Sequence, residues 1–356
     1  MKKYIIIIIC LISVCIAEDF KIIGYYAGNK ENIDKYQLEK LTHIIYSFVH
    51  LDGNNLKIDN DKDEATIKHI VGLKKDYPNL KVMIALGGWG GCYSCSDVFS
   101  TIKGIEEFAL SAKNLLEKHQ LDGLDLDWEY PAIEGVPGHP FIPEDKHNFT
   151  LLIQELRKQF GNDYKLSFAA GGFNEYLEKS IEWELVMPLV DWVNLMSYDL
   201  VNGYSKVTGH HTPLYSRIGQ KVSVESGVNY LDSLNIPLKK IVIGAAFYGR
   251  MWKNVDDINH GFFQPGEYSG AASYQSICER FPEDDGYIEF FDSTASAYYR
   301  YNSDKKFFIT YDNHQSIKAK TKYAMTKKLG GIMFWQLAED KAENGLLDSI
   351  HKTKNP

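Results

Sequence analysis

Asp125, Asp127 and Glu129 lie two residues apart in the stretch Asp122-Gly-Leu-Asp-Leu-Asp-Trp-Glu-Tyr130. On an extended chain, alternate side chains share a face. The three carboxylates therefore point one way, about 6–7 Å from one to the next at the rise of two strand residues. Leu124, Leu126 and Trp128 point the other way. Lining up three acids without partners is costly in a folded chain. The face therefore reads as one kept for chemistry, with a proton donor and acceptor whose ionisation is governed by its neighbours.

Several elements must position this row. Apolar runs predict strands at 21–26, 42–49, 81–89, 122–130, 165–170, 192–199, 240–250 and 330–336. Helical periodicity between them falls at 64–75, 102–119, 146–160, near Trp183, 222–234, 316–328 and 346–351. Eight strands alternating with helices indicate an α/β chain folded as a (β/α)8 TIM barrel. No Gly-x-Gly-x-x-Gly follows the first strand, which disfavours a doubly wound sheet. Residues 251–313 break the alternation. They are rich in Gly, Asp, Tyr and Phe, with short extended pieces such as 287–291, and predict an α+β insertion domain after the seventh strand. The expected barrel domain is thus 18–250 with 314–356.

Composition narrows the function. The 356 residues carry a net charge of −8 and show no Lys/Arg stripe, so a nucleic-acid partner is not expected. The N-terminus has a positive start (Met1-Lys-Lys), an apolar stretch to about Cys15 and a small residue at Ala17. That is the form of a signal peptide over 1–17, too short to span a bilayer. The expectation is a secreted, extracellular chain with no membrane attachment after cleavage. Cys10 and Cys15 would leave with the signal. Cys92 and Cys95 could then close a local disulfide in an oxidising space, leaving Cys278 odd.

Barrel active sites gather at the C-terminal ends of the strands. Those ends carry Trp89 on strand three; Asp127 and Glu129 on strand four; Met196, Tyr198 and Asp199 on strand six; Tyr248 and Arg250 on strand seven; and Trp335 on strand eight. Acids beside flat rings suit a carbohydrate. A Ca²⁺ or Mg²⁺ site is disfavoured, because no Asp-x-Asp-x-Asn-Gly loop is present and the acids alternate with Leu and Trp. Asp122 falls off the acidic face and reads as structural.

The pattern Asp-x-x-Asp-x-Asp-x-Glu resembles the signature of the glycoside hydrolase family 18 chitinases. The resemblance runs on through Ala-Leu-Gly-Gly-Trp89, Met-Ser-Tyr-Asp199, Phe-Tyr-Gly-Arg250 and Gly-Gly-Ile-Met-Phe-Trp335. It implies Glu129 as general acid, Asp127 as the residue orienting a substrate acetamido group, and Asp125 as its charge-sharing neighbour. It implies Tyr198 and Asp199 as contacts to the acetamido and the sugar, Tyr248 and Arg250 beside them, and Trp335 as the floor. Met196 and Trp89 would line the groove, with Tyr25 and Phe48 inside the barrel. No cofactor is implied. The partner is chitin or an N-acetylglucosamine oligosaccharide, and the chain is expected to be a monomer. Relatives often carry a Trp near Asn29, absent here, and a Ser where Ala85 stands.

Asp127 and Glu129 share one face, so Asp127 is badly placed to attack the side opposite the leaving group. Family 18 is a known substrate-assisted exception to the two-carboxylate scheme. The 2-acetamido oxygen would serve as nucleophile, with retention. The alternatives are a chitin-binding lectin on the same scaffold, which presence of Glu129 disfavours, and an endo-N-acetylglucosaminidase acting on N-glycans.

Overall fold

The computed structural model describes residues 20–356, so the expected signal peptide lies outside the described residues. Eight parallel strands close into a barrel. In chain order they are β1 (Lys21–Tyr26), β2 (His43–Asp52), β4 (Lys81–Gly87), β5 (Gly123–Asp127), β6 (Lys165–Gly171), β7 (Trp192–Met196), β8 (Ile241–Ala246) and β14 (Gly331–Trp335). A short β3 (Asn55–Lys57) pairs back onto the end of β2. Neighbours around the ring run β1-β14-β8-β7-β6-β5-β4-β2, and β2 pairs with β1 to shut it. The fold is the (β/α)8 barrel expected.

Alternation divides the strands between two cores. Outward residues such as Leu124, Leu126 and Trp128 pack under the helices. Inward residues Ile23, Tyr25, Ile45, Met83, Ala85, Ala169, Trp192, Met196, Val242 and Met333 fill the barrel. Helix starts follow local chemistry. Asn60 accepts from the backbone N–H of Lys62 and Asp63 to cap Asp61–Gly72, Thr101 caps Ile102–His119, and Ser223 and Asn313 close reciprocal capping boxes with Ser226 and Ser316. Asp122 is structural, as read: its carboxylate accepts from the Val82 N–H and Lys74 Nζ, each at 2.8 Å, and so ties β5 to β4.

The expected single strand over 240–250 is two. β8 ends at Ala246, and Phe247 is the crossover: its N–H still donates to the Trp335 carbonyl of β14 at 2.8 Å, its carbonyl accepts from the Tyr274 N–H at 2.8 Å, and its ring stacks on Phe334 at 4.0 Å. A new strand, β9 (Tyr248–Lys253), then enters a five-stranded antiparallel sheet with β10 (Glu267–Ser273), β11 (Ile288–Asp292), β12 (Ala297–Asn302) and β13 (Phe307–Tyr311). Tyr248 and Arg250 therefore belong to the inserted sheet, not to the end of a barrel strand. The run from Ile241 to Tyr248 is uninterrupted in its apolar and aromatic character, so nothing in its pattern marks the break at Phe247. The sheet carries its own small core of Trp252, Val255, Phe262, Tyr299, Tyr301 and Phe308. Cys92 and Cys95 are joined by a disulfide and Cys278 is free.

Candidate active site

The acid row sits where β5 meets the barrel mouth. β5 ends at Asp127, so Glu129 stands just beyond it, in the turn. Room for this turn comes from Gly87 and Gly88. Both have positive φ (106° and 80°), and a Cβ on Gly87 would lie 2.2 Å from the Asp127 carbonyl oxygen. The Gly88 N–H donates to that same oxygen at 2.8 Å.

The three acids have different surroundings. Asp125 is wholly buried and well supplied. Tyr25 donates its hydroxyl to one oxygen at 2.8 Å, and Ser167 and Asn194 donate to the other. Burial pushes its carboxyl up to about 6, with those three hydrogen bonds pulling the other way. Asp127 is 4% exposed, and its Oδ1 has no hydrogen-bond partner among the described residues. Burial first, then the charges of Glu129 and Asp125, hold it protonated well above the usual carboxylate range. Glu129 is partly exposed at the mouth. Burial pushes it up to about 7, a hydrogen bond with Tyr130 opposes this, and the charge of Asp199 adds to it.

The rim brings the expected aromatic residues together. Phe48, Tyr130, Tyr198 and Trp335 pack on the inner barrel cluster that contains Tyr25 and Met196. Trp335 stacks on Phe48 at 5.4 Å and lies 6.0 Å from Tyr25. Trp89 is 53% exposed, its ring 6.3 Å from Tyr130. The charges of Asp127, Glu129, Asp199 and Asp125 all reach the Tyr198 hydroxyl, which burial already keeps from ionising.

A second group faces it from the inserted sheet. Asp199, in the left-handed region at φ 56°, accepts from Nε and Nη2 of Arg250. Burial raises the Asp199 carboxyl, but His211 and Arg250 outweigh that and hold it well below the usual range. Arg250 lies 5.1 Å over the Tyr248 ring and donates through Nη1 to Tyr268 at 2.7 Å. In this geometry Asp199 is turned to the guanidinium.

Sequence reasoning passed over Ser167 and Asn194. Their signal was available, since each is a polar residue at an inward position of an otherwise apolar strand, and Ser167 pairs in register with Asp125. His211, from the connection after β7, and Tyr268, from β10 of the inserted sheet, carried no such signal.

The model described as Glycosyl hydrolases family 18 matches residues 21–340. Chitinase A1 of Niallia circulans is 30% identical over 91% of this chain and 57% of its own length. Chitotriosidase-1 of Mus musculus is 29% identical over 84% of this chain and 67% of its own. The chain thus spans between about half and two thirds of these relatives. A family 18 N-acetylglucosaminidase from Paenibacillus barengoltzii superposes with a TM-score of 0.86 at 33% identity, over 94% of this chain and 100% of that one. A Group IV chitinase from Ostrinia furnacalis, also solved with allosamidin, gives 0.86 at 25% identity, covering 94% and 99%. The chain belongs to glycosyl hydrolases family 18.

Proposed function

We propose that this chain is an exported chitinase, hydrolysing β-1,4-linked N-acetylglucosamine chains with retention through the substrate's own acetamido group. The observation that carries the reading is the orphaned Oδ1 of Asp127, next to a raised Glu129 on the same face. A buried acceptor without a partner calls for a donor, and an acetamido N–H is one. Glu129 gives its proton to the glycosidic oxygen as the C1–O bond breaks. The acetamido oxygen attacks C1 to close an oxazolinium ion. Asp127 takes the N–H in a hydrogen bond, and the Tyr198 hydroxyl donates to the acetamido oxygen. Water then attacks C1 from the leaving-group side, giving a proton to Glu129, as the bond from C1 to the acetamido oxygen breaks and restores the acetamido group.

In this reading Trp335 is the floor under the reacting ring, with Tyr25, Phe48 and Met196 shaping the space beneath it. Trp89, Tyr248, Arg250 and Asp199 line the groove to either side. Export through a signal over 1–17 is part of the proposal, supported by the Cys92–Cys95 disulfide, which suits an oxidising space. The test is hydrolysis of N-acetylglucosamine oligomers by the wild type beside Glu129→Gln, with products followed by mass and anomeric NMR. Turnover by the wild type alone, with the β-anomer formed first, is expected. Substantial hydrolysis by Glu129→Gln would sink the assignment. The relative named an N-acetylglucosaminidase favours one second reading, release of monosaccharide from chain ends, which the same product masses distinguish.

A further inference from the structure

Three buried oxygens with no hydrogen-bond partner among the described residues belong to barrel-mouth elements: Asp127 Oδ1, Glu339 Oε2 and Asn29 Oδ1. The proposed mechanism uses the first and leaves the other two unexplained. They lie on adjoining loops. Asn29 follows β1, and Glu339 ends a helical turn, Leu337–Glu339, that follows β14. The loops are tied together because the Gln336 side-chain oxygen accepts from the N–H of both Ala27 (3.3 Å) and Ala338 (3.0 Å).

Neither oxygen is idle for want of an ordinary role. Asn29 stands at the N-cap of the helix Lys30–Ile33, where an Asn side chain normally accepts from the first helical N–H groups. Here it makes no such bond. Glu339 senses Arg250, yet that guanidinium is already committed, with Nε and Nη2 on Asp199 and Nη1 on Tyr268. Burial leaves the Glu339 carboxyl raised to about 7, only partly relieved by Gln336. It is thus a buried acid that feels the Arg250 charge but makes no ion pair with it, and its Oε2 has no hydrogen-bond partner among the described residues.

Both unfilled atoms are acceptors. Their complement is a group that only donates, with more than one hydrogen and a positive charge to meet the carboxylate. Hydroxyls accept as well as donate, and an acetamido offers a single N–H. We propose that Glu339 and Asn29 form a subsite beside the reacting ring for the ammonium group of a glucosamine unit. The preferred substrate would then be a partly deacetylated chain. This rests on the reading of the groove as a site for a β-1,4-linked amino-sugar chain.

The test uses N-acetylglucosamine pentamers, fully acetylated or with one glucosamine placed at each position in turn. Their affinities are measured by calorimetry on Glu129→Gln, with Glu339 intact or changed to Gln. One glucosamine isomer is expected to bind better than the acetylated pentamer, and Glu339→Gln should cut that ratio about tenfold, the scale of a charge-assisted hydrogen bond. Asn29→Ala should lower the same ratio by less. A ratio that Glu339→Gln leaves unchanged, or no favoured isomer at all, overturns the proposal. Turnover by the protein with Glu129 intact is scored separately. Hydrolysis without the preference defeats only this inference, whereas the preference without hydrolysis defeats only the chitinase reading.

Discussion

Asp312 and Asp127 are both buried aspartates, 1% and 4% exposed, but they are treated in opposite ways. Asp312 takes Lys320 Nζ on both oxygens (2.8 and 2.6 Å), the Ser316 hydroxyl on one and the Ala246 N–H on the other. Lys320, itself fully buried, also donates to Thr212 at 2.6 Å. Every charge in that cluster is matched, as a buried ion pair must be to persist. Asp127 has two acids for neighbours and an oxygen with no hydrogen-bond partner among the described residues. One aspartate fastens β8 to the segment after the inserted sheet; the other, in the proposed function, takes the substrate's N–H. Burial alone does not mark a functional acid, but burial without satisfaction does.

Replacing the proposed proton donor tests the unsatisfied side most severely. Glu129→Gln should lower kcat by about 10²–10⁴-fold, with thermal unfolding showing an intact fold. The satisfied side should respond in the opposite currency. Lys320→Met strands the Asp312 charge and should cost about 3–5 kcal/mol of stability in urea titration, with kcat per folded molecule close to wild type. A large kcat loss there would blur the contrast.

Asp127→Asn should separate the two properties within one residue. Activity should fall about 10²-fold, the scale of losing one fixed hydrogen bond to the transition state, while stability at neutral pH rises. The sign follows from the raised Asp127 carboxyl. Between the ordinary aspartate range near pH 4 and its raised value, the folded protein binds more protons than the unfolded chain. Stability from this group therefore falls as pH rises through that window. The advantage of Asp127→Asn should fade as pH drops toward 4, measured as the difference in Tm across a pH series. By the same logic, wild-type kcat/KM should decline above about pH 7, where Glu129 loses its proton. Ser167→Ala should have the mildest effect. It removes one of several donors to Asp125 and should cost about 1–2 kcal/mol in denaturant unfolding, with a modest loss of rate.

Much of this contrast can be read before any coordinates. The acid row announces itself because three carboxylates interrupt what should be a continuous apolar barrel strand, and Trp89, Tyr198 and Trp335 close other strands in the same way. The eight-strand count was equally legible, since from the second strand onward each run is followed by a helical stretch. Other features were hidden for physical reasons. The break at Phe247 is invisible because the residues on either side, Ala245-Ala246 and Tyr248, are buried and extended alike, and only pairing partners tell them apart. The Asp199–Arg250 contact joins residues 51 positions apart through a backbone turned to positive φ. Whether an acid is satisfied depends on where its neighbours fold: Asp312 meets Ser316 and Lys320 four and eight residues on, along the helix that follows it, whereas the neighbours of Asp127 come from the acid row itself.

The inserted sheet enters through β9 and leaves through β13, and these two strands are hydrogen-bonded to each other, Gly249 opposite Tyr311 and Arg250 opposite Thr310. The excursion is therefore drawn shut at its own neck. The barrel need only supply two adjacent attachment points, and the closure entropy of the long connection is met within the graft. Lengthening, trimming or exchanging its outer edge around β11 and β12 leaves the neck, and Arg250 within it, where they are. Such a joint allows one bank of the groove to change its outer edge while the acid row across the mouth keeps its place.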